Sequence, residues 1–509
     1  MIIHIKEVLL HYLLYDPATP LLFTQLFFWI FFMVVMLGYA IVYKWMPVRN
    51  AYLFFISLYF YYKCGGAFIW LLLFSIVSTY FIGIGIYKSK HNGVRKMYVA
   101  LSVMVSILLL AYYKYTYFFT DLFNNAFNTH YMVHDYLASW TNKQLGTQFN
   151  AASIILPVGI SFFSFQALSY TIDLYRRQTT PVKNIIDFGF YKSFFPQLIS
   201  GPILRAAEFI PQMYTKYVLS SREVGHALFL IQNGLLKKML ISDYISINFV
   251  DRIFDNPLSY SGFENLMGTY GYTIQIYCDF SGYTDIAIGL ALLLGFRIPI
   301  NFNSPYKATN LTDFWRRWHI SLSSWLRDYL YIPLGGNRKG KVRTYLNLIA
   351  TMLIGGLWHG ANLRFVIWGA LHGFGLAIHK LWMAVFPSKN TGNAYSRIIT
   401  KILTFHFVVF AWIFFRAPNM ITVRNVLSQI FNHFGTRAIP SILSGYANIF
   451  LIMLLGFTIH WLPSSLKEKY RGWFITTPIY AKVAIAVSVA LLVFQVKSSV
   501  LQPFIYFQF

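Results

Sequence analysis

Apolar runs of about twenty residues, repeated along the whole chain, restrict this sequence more than any other feature. A bilayer core is about 30 Å thick and a helix rises about 1.5 Å per residue, so such a run is long enough to cross. Residues 21–43, 68–87, 97–113, 152–172, 363–385, 398–415, 449–462 and 480–496 qualify, the shorter ones with less to spare. Residues 343–358 and 271–296 qualify with polar interruptions. The reading is an all-α polytopic membrane protein with about ten to twelve transmembrane helices. Composition agrees: 12% of residues are charged and the mean hydropathy is +0.52, against about 25% charged in a soluble domain.

The net charge of +25 raises the question of nucleic acid, but the basic residues collect in short loops between apolar runs, as the positive-inside rule expects. Lys88, Lys90, Arg95 and Lys96 share one loop. Nine basic residues fall in 297–343 against two acids, whereas 121–150 holds one lysine, Lys143, and two aspartates. The first two segments are therefore assigned to the cytoplasm and 121–150 to the outside; no nucleic acid partner is expected. Cys64 and Cys278 lie beside or inside apolar runs, so no disulfide framework is indicated. No basic n-region with a small-residue cleavage site opens the chain, and the 21–43 run is expected to stay as a membrane helix. No soluble domain is visible. The lack of an internal repeat weakens the case for an inverted-repeat transporter.

Residues 191–205 carry Pro196, Gly201 and Pro202, a density that interrupts a helix. Irregular backbone survives at membrane depth only where protein or a water-filled cavity surrounds it. A re-entrant segment lining a cavity is the expectation, and a surface loop is the competing one. Residues 311–331 read differently. Trp315, Trp318, Leu322, Trp325 and Tyr329 recur at spacings of three and four, one stripe of a helix. Arg316, Arg317, Ser324, Arg327 and Asp328 largely fill the other side. Thr312 and Asp313 stand where an N-cap is expected, and Pro333 to Gly336 end the helix before a basic turn. The pattern predicts one helix lying in the interface with its tryptophans at headgroup level. His319 falls on the stripe, facing protein or lipid.

A titratable imidazole at membrane depth is costly and marks a functional site by default. Of thirteen histidines, His4, His11, His91, His130, His134 and His433 lie in polar or terminal stretches and are expected to be solvated. His372 and His379 are seven apart on one helix and suit core or cavity lining. No set has zinc-site spacing, and no metal is expected. His359 stands apart. With Arg343 at the cytoplasmic surface, sixteen residues carry it roughly 24 Å into the bilayer. Gly355, Gly356 and Gly360 leave room for a close-approaching chain. A neutral imidazole there can take a proton from a hydroxyl; a structural histidine satisfied by a helix carbonyl fits the position equally well. No G-x-S-x-G, P-loop or G-x-G-x-x-G accompanies it. Attack by an acceptor hydroxyl on an activated acyl group, with the histidine as base, needs none of these.

Asp279 and Asp285 sit in an apolar setting, where carboxylates pair with a base or line a polar cavity. Arg316 or Arg317 is the expected partner, and an ion path is the rival reading. Asp173, followed by Arg176 and Arg177, is expected to mark the interface at a helix end.

These segments resemble the membrane-bound O-acyltransferases, within them the bacterial alginate O-acetylation branch and its exopolysaccharide relatives. The likeness rests on WRRWHISLSSWLRDYLYIPLGGNRKG (315–340), GGLWHGAN (355–362), LPVGISFFSFQALSYTIDLYRR (156–177), SFFPQLISGPILR (193–205), YCDFSGYTDIAIGLALLLGFRIPINFNSPY (277–306) and the final FIYFQF. The resemblance implies a ring of tilted helices, with re-entrant and interfacial helices, around a thinned centre holding a cytoplasmic funnel and a tunnel. It maps the family's membrane histidine onto His359, as base, and its second histidine onto His319, orienting the donor. Trp315, Arg316, Arg317, Trp318, Trp358, Asn362, Asp279 and Asp285 are then the expected substrate-binding residues. Arg316, Arg317 and Arg327 would steer an anionic donor, or serve topology alone. Residues 1–150 would form N-terminal transmembrane helices, 151–375 the catalytic core, and 376–509 C-terminal transmembrane helices.

The activity so implied is a transmembrane O-acyltransferase of the bacterial cytoplasmic (inner) membrane. It would pass an acyl group, usually acetyl, from a cytoplasmic donor outward for O-acetylation of an extracellular or cell-surface polysaccharide. No bound cofactor is expected; acetyl-CoA or an acyl carrier is the expected donor. Polysaccharide synthesis machinery and an exported SGNH-hydrolase-like acetyltransferase are the expected partners. Teichoic acid relatives use a D-alanyl carrier protein, but the 332–338 ending fits the alginate-like group better. The rivals are a transporter or flippase for the glycan or acyl donor, and a non-catalytic scaffold for an exported transferase.

Overall fold

The computed structural model describes residues 13–199, 201–386 and 394–496. His4, His11 and the final FIYFQF lie outside them. Among the described residues every regular element is helical.

Leu26–Val42 (α1), Met46–Gly65 (α2) and Ile69–Lys88 (α3) come first, α2 and α3 running on through a 3-10 turn as one stretch of 43 residues. None of the runs read from the sequence covers α2, whose segment carries Pro47, Arg49 and Lys63. In the fold Arg49 and Lys63 are buried, Arg49 donating to the carbonyls of Met213 (2.6 Å) and Thr215 (3.1 Å). Asn92–Leu110 (α4) and Thr116–Phe127 (α5) are joined by a π-helical bulge, Ala111–Tyr115. A short helix, Tyr136–Leu145 (α6), follows.

The 152–172 run is helical only from Ile160, in Ile160–Tyr175 (α7). Pro157 and Gly159, whose φ is +73°, turn the chain just before it. Ile185–Ser193 (α8) leads through an extended Phe194 into the single turn Phe195–Leu198 (α9), with Pro196 in its first turn. Phe194, Phe195, Leu198, Ile199, Ile203 and Leu204 are all buried, so this interrupted segment is protein interior rather than a surface loop.

Ser221–Leu235 (α10) opens with a full capping box between Ser220 and Glu223, and Gly262–Leu293 (α11) with another between Ser261 and Glu264. The expected continuous helix over 311–331 is broken. It consists of Leu311–Trp315 (α12), a turn, Ile320–Leu326 (α13) and a π-helical turn Arg327–Tyr331. The N-cap is Asn310, not Thr312 or Asp313, with its side chain accepting from the Asp313 N–H at 2.8 Å. The break falls at His319, whose φ of +42° is left-handed, a conformation rare for a side-chain-bearing residue although histidine tolerates it better than most.

Lys341–His359 (α14) and Leu363–Val385 (α15) form an antiparallel hairpin, and Ala394–Arg416 (α16) packs beside α15. Glycines set the hairpin's closeness. A Cβ on Gly356 would lie 2.3 Å from the Phe365 carbonyl oxygen and 3.0 Å from Gly369 Cα, the small-residue contact typical of membrane helices.

Four helical stretches among the described residues are long and apolar enough to cross a bilayer, or six if each of two bent pairs is one span. That is fewer than the ten to twelve read from the sequence. The difference lies in helices too short or too polar for that count: α7 has 16 residues, and α14 carries polar groups among its apolar ones. Enclosure also differs widely among the four: in the apolar window of α11, 83% of residues are buried, against 17% for Asn92–Phe127. An enclosed helix needs no apolar surface all round, and α14 accordingly buries Thr344, Asn347, Thr351 and His359.

Candidate active site

His359 is the last residue of α14 and is 3% exposed. Its ring sits edge-on among aromatic side chains: Trp358 at 4.9 Å between centroids, Trp368 at 5.1 Å and Phe415 at 5.2 Å. A helix end leaves its final carbonyls without helical partners. Here the π-bulge answers them. Lys114 Nζ donates to the carbonyls of Trp358 (2.7 Å) and His359 (3.2 Å), and the Tyr115 hydroxyl to that of Leu357 (3.0 Å).

His359 and Trp358 line a small pocket that opens to the surface. Lys114, the segment Leu156 to Phe162 and Ile199 form the rest of its wall. The turn at Pro157 and Gly159 thus has a use, because it brings residues 156–162, Ser161 among them, into the wall that also holds the histidine. Beneath the pocket, Phe165 is stacked between Trp325 (3.9 Å, 9°) and Trp358 (5.0 Å, 12°). Trp325 is fixed by donating to the Phe165 carbonyl at 3.1 Å.

His319 is completely buried, its ring 4.7 Å from that of Phe280 and 6.5 Å from that of Trp358. Trp358 therefore touches both histidines. The left-handed backbone at His319 is held by Asn301, whose carbonyl accepts the Ile320 N–H (3.0 Å). The Asn301 side-chain oxygen accepts from Ser321 N–H (3.1 Å) and Ser321 hydroxyl (2.7 Å) and lies 3.4 Å from His319 Nδ1.

Several expected roles fall elsewhere. Trp315, Trp318 and Trp325 are buried in protein rather than held at headgroup level, because the break at His319 folds their stripe inward. Trp315 donates its indole N–H to His372 Nδ1 at 3.3 Å, so His372 is core. Arg316 is exposed, and Arg317 pairs with Asp313 at 2.8 Å. Asn362 caps α15, accepting from the Arg364 N–H at 3.1 Å. Asp173 is buried and receives the Tyr329 hydroxyl at 2.8 Å, rather than marking an interface.

Neither Arg316 nor Arg317 partners the intramembrane carboxylates. Asp279 meets Lys238 at 2.5 Å and Asp285 meets Lys237 at 2.7 Å, with Asn233 also donating to Asp285. The two lysines are adjacent in a π-helical stretch, Leu236–Asp243, whose wider turn lets both reach α11. Sequence reasoning missed these lysines and Lys114. The signal was present in each case, a lysine inside an apolar run, which is the same feature that singled out His359. Also missed were Gln166 on α7 and Gln197 on α9, buried amides without a side-chain hydrogen-bond partner among the described residues.

An all-α, multi-pass membrane protein with a histidine in the wall of an aromatic pocket is the class this architecture defines. The chain belongs to the membrane-bound O-acyltransferase (MBOAT) family, whose model matches residues 54–423; it is an O-acyltransferase. It is 36% identical over 433 residues to the peptidoglycan O-acetyltransferase of Helicobacter pylori, covering 79% of this chain and 78% of that protein. It is 40% identical over 391 residues to the probable alginate O-acetylase AlgI of Pseudomonas syringae pv. tomato, covering 75% and 70%. A teichoic acid D-alanyltransferase of Bacillus subtilis is 29% identical over 287 residues, covering 52% and 69%.

Proposed function

We propose that this enzyme takes an acetyl group from a cytoplasmic thioester and passes it across the bacterial inner membrane for O-acetylation of a cell-surface or secreted polysaccharide. The observation that carries the reading is the position of His359. It lies at the far end of α14 from Lys341, about 27 Å along a 19-residue helix, in the wall of a pocket formed by the chain that follows 121–150. Arg338, Lys339, Lys341 and Arg343 assign the start of α14 to the cytoplasm. The pocket then faces the acceptor side, and His319 lies on the donor's route beneath Trp358.

The acceptor hydroxyl gives its proton to His359 as its oxygen attacks the thioester carbonyl. A C–O bond forms, the tetrahedral intermediate collapses, the C–S bond breaks, and the leaving thiolate takes the proton back. Acetyl-CoA is the donor we favour, with an acyl carrier as the alternative source of the same thioester. The exposed Arg316 supplies positive charge for its phosphates. An exported SGNH-hydrolase-like partner would complete delivery to the polymer, alongside the polysaccharide synthesis machinery. The higher identity to the two O-acetyl-transferring relatives than to the D-alanyl-transferring one supports acetyl as the group moved.

Replacing His359 by Ala in the producing cell tests this. Base-labile acetyl ester on the polymer is expected to vanish while the amount of exported polymer is unchanged. Ester at the parental level refutes the assignment, and loss of the polymer itself favours a transporter. Mass analysis of the released acid separates acetate from D-alanine.

A further inference from the structure

We propose that Lys114 is a further residue of this site: its ammonium fixes the last turn of α14 and supplies the positive charge that receives the acyl carbonyl oxygen as it becomes an oxyanion. The inference rests on the acyl-transfer reading above and goes beyond it in naming the group that stabilises the transition state.

Three observations carry it. First, Lys114 lines the pocket together with His359, and among the described lining residues it is the one lysine or arginine. Second, an ammonium has three N–H donors. Two are taken by the carbonyls of Trp358 and His359, at 2.7 and 3.2 Å, which leaves one for whatever enters the pocket. Third, no carboxylate among the described residues forms an ion pair with Lys114. Its anionic company is the C-terminal end of α14, which carries roughly half a negative charge. Without Lys114 that end would repel an oxyanion forming beside His359. With it, the local field favours one.

The π-bulge makes the placement possible. A π turn inserts one residue into the helical register. The bulge is anchored on its far side by Tyr112, whose hydroxyl donates to Asp135 at 2.6 Å and accepts the Leu137 N–H at 3.0 Å. Lys114 is thus held between α6 and the end of α14.

In the step itself the acceptor oxygen bonds to the acyl carbon and the carbonyl π electrons move to oxygen, where the third Lys114 N–H donates. Collapse returns those electrons, expels the thiolate and leaves Lys114 as it began. The hydroxyl proton travels by His359, so Lys114 gains and loses no proton.

The test uses full-length protein in inside-out membrane vesicles supplied with labelled acetyl-CoA, reading initial rates of ester formation across donor concentrations. Lys114→Gln keeps an N–H donor but removes the charge, and is expected to lower kcat by about 10²–10³-fold, the cost of losing an oxyanion donor, with KM within about threefold. Lys114→Arg should recover to within about tenfold of the parent. Tyr115→Phe removes a neutral cap from the same helix end and should change kcat less than about threefold. The proposal is overturned if Lys114→Gln is as active as the parent, if Arg restores nothing, or if Tyr115→Phe loses as much as Lys114→Gln, which would make the role one of capping alone. Should Lys114→Gln fail to accumulate in the membrane, the comparison of Arg with the parent decides. A parent enzyme that turns over no acetyl-CoA refutes the donor reading of the preceding subsection and this inference with it. A normal parent beside unaffected Lys114 variants refutes this inference alone.

Discussion

Lys238 sits between two carboxylates in the interior, 2.5 Å from Asp279 and 2.8 Å from Asp243, and is itself 2% exposed. Replacing it by Met removes the cation and leaves both acids facing each other in a low-dielectric setting. Breaking one side of a buried pair costs about 3–5 kcal/mol, mostly the desolvation of the charge left behind. The double variant Lys238→Met with Asp279→Asn removes the more buried of the two stranded charges and leaves Asp243. It should recover at least about 2 kcal/mol of the loss, a coupling of the size expected for residues in contact. The assay is thermal unfolding of the purified protein in detergent, followed by tryptophan fluorescence, with acyl transfer measured on the folded fraction. The single variant is expected to melt on the order of 5 °C lower, and the double variant between it and the parent. Transfer per folded molecule should stay within about threefold in the double variant, because neither residue lines the pocket. A double variant no more stable than the single one refutes the pairing argument. One that is fully stable yet inactive revives the ion path weighed from the sequence.

Further outcomes follow from the same geometry. Phe165→Ala removes the middle ring of the Trp325–Phe165–Trp358 stack and is expected to cost about 3–5 kcal/mol, with a fall in transfer because Trp358 loses its support; an unchanged melting curve would contradict this. Gly356→Ala places a Cβ 2.3 Å from the Phe365 carbonyl oxygen, so the hairpin must spread at about 1–3 kcal/mol, and a neutral effect in the same melt would refute the close contact. Glu223 accepts from the Ser220 N–H, from Arg297 and from the Ser220 hydroxyl, which together hold its carboxyl down from 4.5 to about 2. A depressed folded-state value means stability that is present above about pH 4.5 and is lost as the pH falls towards 2. Melting of Glu223→Gln should therefore trail the parent at pH 7 and meet it near pH 2; a gap of equal size at both pH values would refute the linkage.

How far the sequence could be read depends on whether a feature is local or set by distant partners. Hydrocarbon-length runs and the histidine at the end of 343–358 are local, and they led to the membrane class and to His359. The break in 311–331 is not local. Its stripe of Trp315, Trp318, Leu322, Trp325 and Tyr329 is valid helical spacing, but Asn301, eighteen residues earlier, binds the turn at His319 and helps make a left-handed histidine tolerable. The same holds for Asp279 and Asp285. Arg316 and Arg317 stood on the next helical stripe along the chain, yet the pairs formed with Lys237 and Lys238, because a wide helical turn aims two adjacent side chains at one neighbour. Lys114 is the instructive case, because its sequence, AYYKYTYFF, announces an intramembrane charge as plainly as His359 does. Ranking groups by their capacity to carry a proton passes over a lysine whose work is to hold a charge in place. An intramembrane cation beside a helix C-terminus is stabilised by that helix's dipole, so it need not sit opposite an acid. Absence of a nearby Asp or Glu is therefore no reason to set such a lysine aside. In a pocket where negative charge must develop, it is the reason to examine it.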